Sequence, residues 1–103
     1  MTKERSPALP DLPTTAEQGS SGIEAYTWSA IFLPKGASPD VVKKLNGFVV
    51  AAMKTPTVKE SLAKAGAQVV SDDRATSQYL GTFVKSEIEK WAVPIKASGA
   101  SAD

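Results

Sequence analysis

Tyr26-Thr27-Trp28-Ser29-Ala30-Ile31-Phe32-Leu33-Pro34 is a run of aromatic, β-branched and small residues that stops at a proline, the composition of a strand. Lys35-Gly36-Ala37-Ser38-Pro39-Asp40 follows, with Ser38 placed as an N-cap and Pro39 at the first helical position, so the strand is predicted to run into a helix. Side chains alternate along a strand, which puts Tyr26, Trp28, Ala30 and Phe32 on one face and Thr27, Ser29, Ile31 and Leu33 on the other. Both faces become apolar toward the far end, and such a strand needs cover on both sides.

The downstream chain has the pattern of that cover. After Ser38, the positions Val41, Val42, Leu45, Phe48, Val49, Ala52 and Met53 recur at helical spacing, opposite Lys43, Lys44, Gly47 and Lys54. Thr55-Pro56 ends this helix and caps a second, whose Val58, Leu62 and Ala65 form a narrow stripe and which Gly66 closes. Ala67-Gln68-Val69-Val70-Ser71 is a second short strand candidate, and Asp72-Asp73-Arg74 a polar turn. Thr76 is placed to cap a long last helix with Leu80, Phe83, Val84, Ile88 and Trp91 inward and Lys85, Glu87, Glu89 and Lys90 toward water. Pro94 is expected to kink or end that helix, and the tail from Ser98 to fray.

Upstream, Pro7, Pro10 and Pro13 make residues 1–13 an extended, non-helical arm. Thr14-Thr15-Ala16-Glu17 reads as a capping box that starts a helix of about two turns, and Gly19-Ser20-Ser21-Gly22 stops it. The expected fold class is therefore α/β: an arm over 1–13 and one domain over 14–103, with two short strands and three to four helices.

The chain has 103 residues, 42% of them hydrophobic, enough for one domain with a modest core. A net charge of +1 gives no reason to expect nucleic acid or an anionic membrane as partner. Cysteine is absent, so there is neither disulfide nor thiolate, and composition leaves the compartment undecided. No run is long and apolar enough to span a bilayer, and Met1-Thr2-Lys3-Glu4-Arg5-Ser6 lacks the apolar centre of a signal peptide, so the chain as written is not expected to be exported.

Histidine is also absent, which removes Ser-His-Asp triads, histidine bases and histidine ligands. Asp72 and Asp73 lack the spaced ligands of a cation site and read as a solvated helix lead-in. Gly19-Ser20-Ser21-Gly22 does not join a strand to a helix as phosphate loops do, and reads as a linker. No catalysis, metal or cofactor is expected. Tyr26, Thr27, Trp28 and Ser29 remain as the candidate ligand-binding set, because rings and hydroxyls at a strand start suit a small-molecule pocket. The competing reading makes Tyr26 and Trp28 core residues, the commoner role of large aromatics.

Arg5-Ser6-Pro7-Ala8-Leu9-Pro10-Asp11-Leu12-Pro13-Thr14, Glu17-x-Gly19, Gly22-Ile23-Glu24, Trp28, Phe32-x-Pro34 and Gly36 together resemble the C-terminal portion of the Bug (TctC-like) extracytoplasmic solute receptors of tripartite tricarboxylate transporters. The likeness continues through Leu45-Asn46, Met53, the helix over 56–66, Thr76 and Glu87-Ile88-Glu89-Lys90-Trp91. Order and spacing carry it rather than any one motif. The resemblance implies the last third of a type II periplasmic-binding-protein fold, in which two lobes close on a small carboxylate without catalysis or cofactor. It also implies a periplasmic location, membrane transporter subunits as partners and weak ligand binding by this portion alone. Ala30 stands where many relatives have glycine, and Pro94 interrupts a helix that usually continues. A strand lacking neighbours exposes its edges, so a homodimer is expected, and a self-associating module without ligand is the alternative function.

Overall fold

Three α-helices and one 3-10 turn make up the regular structure in a computed structural model that describes residues 2–100. Helix α1 spans Pro39–Met53, α2 Pro56–Lys64 and α3 Ser77–Ser98, with the 3-10 turn at Asp72–Arg74. Local signals set their ends. The Ser38 hydroxyl accepts from the Val41 amide at the start of α1, and the Thr76 hydroxyl from the Tyr79 amide at the start of α3. Thr55 behaves differently, since its hydroxyl donates backward to the Ala52 carbonyl at 2.7 Å, and α2 starts on Pro56 without a side-chain cap. Gly66, at φ 73°, closes α2 in a Schellman arrangement, with Ala67 N–H reaching Leu62 O and Gly66 N–H reaching Ala63 O.

The two expected strands do not form, and among the described residues the chain is all-α rather than α/β. Residues 26–33 run without helical or turn hydrogen bonding, and 67–71 likewise form no ladder. Strand propensity in a segment is a fit to a pleated surface, and without a second strand alongside there is no ladder to complete. Two further expectations are corrected. The helix at Thr14 is a single turn, closed by Gln18 N–H to Thr14 O and Ser20 N–H to Thr15 O. Pro94 does not end α3, which runs to Ser98 and closes at Gly99 with φ 68°. The part of the expected frayed tail at 101–103, like residue 1 of the arm, lies outside the described residues.

The capping box itself is present. Glu17 N–H donates to Thr14 Oγ1 at 3.2 Å, and Thr14 N–H donates to Glu17 Oε2 at 2.7 Å. The same carboxylate receives Arg5, whose Nε lies 3.0 Å and 3.1 Å from its two oxygens and whose second nitrogen lies 2.9 Å away. This fork ties the arm to the turn. The Arg5 hydrogen bond, followed by that from the Thr14 amide, lowers the Glu17 carboxyl to about 2. Because the folded value lies below the unfolded one near 4.3, the fork's contribution is complete above that pH and is lost as pH falls through about 2. The Arg5 side-chain N–H resonance is therefore expected to hold steady from pH 7 to about 4 and to move toward its free position as the pH falls through about 2. A resonance already at its free position at pH 7, or one that moves with a midpoint near 4.3, contradicts the docked arm.

Helix α1 packs against α2 and α3 through Val42, Asn46, Val49 and Met53, all half-buried. Asn46 donates to the Ala75 carbonyl at 3.1 Å, linking α1 to the lead-in of α3. Helix α3 contributes Leu80, Phe83, Val84 and Trp91, while Ile88, expected inward, is 66% exposed. Val41, Leu45 and Phe48 form a second apolar stripe on α1, about 100° round the helix from the first, and it faces solvent. No described residue is fully buried. The accessible surface is 8609 Å², against about 5,500 Å² for a compact monomer of this mass. The radius of gyration, 16.6 Å, likewise exceeds the roughly 13 Å of a compact domain of this length. The described residues do not enclose a core of their own.

Candidate functional site

The four candidate ligand-binding residues divide between two surroundings. Trp28 meets the edge of Phe83 on α3, with ring centroids 5.3 Å apart and planes at 75°. Phe83 stacks in turn on Tyr79, one turn earlier on the same helix, at 6.1 Å and 15°. Trp28 is thus half-buried packing against α3. Tyr26 lies two residues back along the segment, more exposed, with Lys90 Nζ 5.9 Å from its ring centroid. Thr27 and Ser29 are exposed, and neither hydroxyl has a hydrogen-bond partner among the described residues. The alternation that brings Tyr26 and Trp28 to α3 turns these two hydroxyls away from it.

Cations that the sequence pattern assigned to a turn and a solvated face complete this surface. Arg74 Nε donates to the Tyr79 hydroxyl at 2.9 Å, and its guanidinium carbon lies 5.2 Å from the Tyr79 ring centroid. That hydrogen bond, with a smaller contribution from the Tyr26 hydroxyl, holds the Arg74 proton more tightly than usual. Lys90 also lies 5.3 Å from the Trp91 ring centroid and 3.7 Å from Glu87. Glu87 accepts from Trp91 Nε1 at 3.1 Å and is only 11% exposed. Nothing local marks Arg74 or Lys90 as special. The one available signal is Tyr79, an aromatic on the same side of α3 as Phe83 and close in sequence to Arg74.

The arrangement can attract an anion beside an aromatic face, and it contains no nucleophile paired with a base. The nearby acids are engaged: Asp72 with Lys54 at 2.8 Å, and Asp73 with the Ser71 hydroxyl, which lowers its carboxyl. Among the described residues no three acidic side chains converge. Two hollows in the surface lie away from residues 26–29. One, of about 110 Å³, lies under the arm between Lys3, Thr15 and Glu24, and the other, of about 400 Å³, is an open groove along Ala92, Val93, Lys96 and Ala97 at the end of α3.

Residues 1–100 match the family described as the tripartite tricarboxylate transporter family receptor, TctC. The chain is 40% identical over 87 residues to the UPF0065 protein in the clcB-clcD intergenic region of Pseudomonas knackmussii, covering 84% of this chain and 50% of that protein. It is 36% identical over 98 residues to the UPF0065 protein in the TAR-I ttuE-ttuC' intergenic region of Agrobacterium vitis, covering 95% and 28%. It is 33% identical over 100 residues to Protein BugT of Bordetella pertussis, covering 97% and 30%. The chain thus spans between about a quarter and a half of the curated relatives it matches. No solved structure matches it.

Proposed function

Since this chain belongs to the tripartite tricarboxylate transporter receptor family, we propose that it is the C-terminal part of a solute receptor that binds small carboxylates for uptake by such a transporter, without catalysis. The observation that carries this reading is the family match along residues 1–100, which coincides with the order and spacing of the motifs from Arg5 to Trp91. Tyr26 and Trp28, with Arg74 and Lys90 beside them, form the wall that this portion offers to a carboxylate, and the Thr27 and Ser29 hydroxyls lie on the opposite face of the same segment. A periplasmic setting and contact with membrane transporter subunits accompany the receptor role, and no helix among the described residues is long and apolar enough to cross a membrane itself.

One wall without an enclosing cavity holds a ligand weakly. Titration of labelled protein with di- and tricarboxylates and acidic amino acids is expected to move the amides of residues 26–29 and 79–90 by small, saturable amounts. A panel in which no amide responds beyond the effect of sodium chloride at equal ionic strength contradicts ligand binding by this chain. The large exposed surface favours the second reading, a self-associating module without ligand.

A further inference from the structure

Resting on the carboxylate-receptor reading above, we propose that Arg74 is the group of this wall that grips the carboxylate, end-on through its two terminal nitrogens, and that Tyr79 is the residue that positions it. A guanidinium presents its N–H donors in a rigid planar fork. The Nε donor of Arg74 is committed to the Tyr79 hydroxyl at 2.9 Å, and the guanidinium carbon lies 5.2 Å from the centroid of the same ring. The Tyr26 hydroxyl adds a smaller contribution to that hold, so the guanidinium reaches from α3 to the segment that crosses it. With Nε engaged on Tyr79, the edge turned to a ligand is the one formed by the terminal nitrogens, which meets both oxygens of a carboxylate side by side.

Both partners are fixed from close by. The Tyr79 ring stacks on Phe83 at 6.1 Å and 15°, and its amide donates to the Thr76 hydroxyl at 3.1 Å. Arg74 ends the 3-10 turn with its own N–H on the Ser71 carbonyl at 3.0 Å, and the carbonyl of the next residue, Ala75, is held by Asn46 of α1 at 3.1 Å. The acids beside it are directed elsewhere, Asp72 to Lys54 at 2.8 Å and Asp73 to the Ser71 hydroxyl. Among the described residues Arg74 forms no ion pair. Lys90, the other cation of the wall, differs. Glu87 lies 3.7 Å from it, and the Tyr26 and Trp91 rings 5.9 Å and 5.3 Å, so its charge already has a counterion. A paired, flexible ammonium adds positive potential, whereas the preorganised fork supplies direction.

Proton–nitrogen spectra of the intact chain titrated with succinate test this. The Arg74 Nε–H resonance is expected to shift with the same midpoint as the amides of residues 26–28, and to stay in place with sodium chloride at equal ionic strength. Arg74→Lys keeps the charge and loses the fork, and is expected to weaken binding about tenfold or more, against about two- to threefold for Lys90→Gln. Tyr79→Phe keeps the ring on Phe83 and removes the acceptor. It is expected to weaken binding about threefold or more and, with no succinate present, to speed hydrogen exchange at Arg74 Nε at an unchanged melting temperature, which a purely structural role of the ring does not do. An Arg74 Nε–H that stays still while the amides of residues 26–28 move, or an Arg74→Lys variant that binds as the wild type does, overturns the assignment and leaves the receptor reading standing. Unchanged exchange at Arg74 Nε in Tyr79→Phe overturns the positioning role. A wild type in which nothing responds to succinate or to the other carboxylates overturns both the assignment and carboxylate binding by this chain.

Discussion

Phe83→Ala is expected to destabilise the chain by about 2–3 kcal/mol, below the range for a fully buried phenylalanine because Phe83 is half-buried. Phe83 is the ring on which both Trp28 and Tyr79 rest. Removing it takes from Trp28 its ring contact on α3 and from Tyr79 its stacking partner, leaving the Tyr26–Lys90 and Tyr79–Arg74 contacts in place. With no fully buried residue among those described, that loss is a large share of the total. The melting temperature is expected to fall by roughly 10–20 °C, with loss of the near-ultraviolet circular dichroism of Trp28. Phe83→Leu, which keeps most of the volume, is expected to recover the larger part. An unchanged melting temperature in Phe83→Ala contradicts the ring contacts described above.

Trp91→Ala is expected to cost about 2–4 kcal/mol, for two separable reasons. The first is the packing of the half-buried ring on α3. The second is the Nε1 hydrogen bond to Glu87, a carboxylate only 11% exposed whose cationic neighbour, Lys90, is 3.7 Å away. Trp91→Phe keeps the ring and removes the donor, so it isolates the second part, about 1–2 kcal/mol for a bond to a charged acceptor. Glu87→Gln is expected to be milder in the Trp91→Phe background than in the wild type, because a neutral amide loses less when its donor is gone. Additive effects in this double-mutant cycle contradict a coupled Trp91–Glu87 pair.

Much of α1 and α3 was legible in the residues. Ser38 with Pro39, Thr76, and the spacing of Leu80, Phe83, Val84 and Trp91 act within one or two turns, and each performs the expected role. The limits of periodicity show at Ile88 and at Leu45 and Phe48, which share the helical spacing of inward residues yet face solvent. Their stripes lie beside the packed ones, and a helix pattern records how wide an apolar face is, not which part of it a neighbour covers. The candidate site was half legible. Tyr26 and Trp28 come together on α3, whereas Arg74 and Lys90 join them only because residues 26–28 cross that helix.

By itself, then, the sequence determined helices α1 to α3, the caps of α1 and α3, the Thr14–Glu17 box and the receptor-family order of motifs, because each depends on groups a few residues apart or on linear order alone. Only the tertiary structure decided that the described residues are all-α, that Ile88 faces out and that Arg74 lies on Tyr79. A strand is a relation between two segments. Tyr26-Thr27-Trp28-Ser29-Ala30-Ile31-Phe32-Leu33 has the side chains for one, and in this chain it finds the face of α3 but no backbone to pair with.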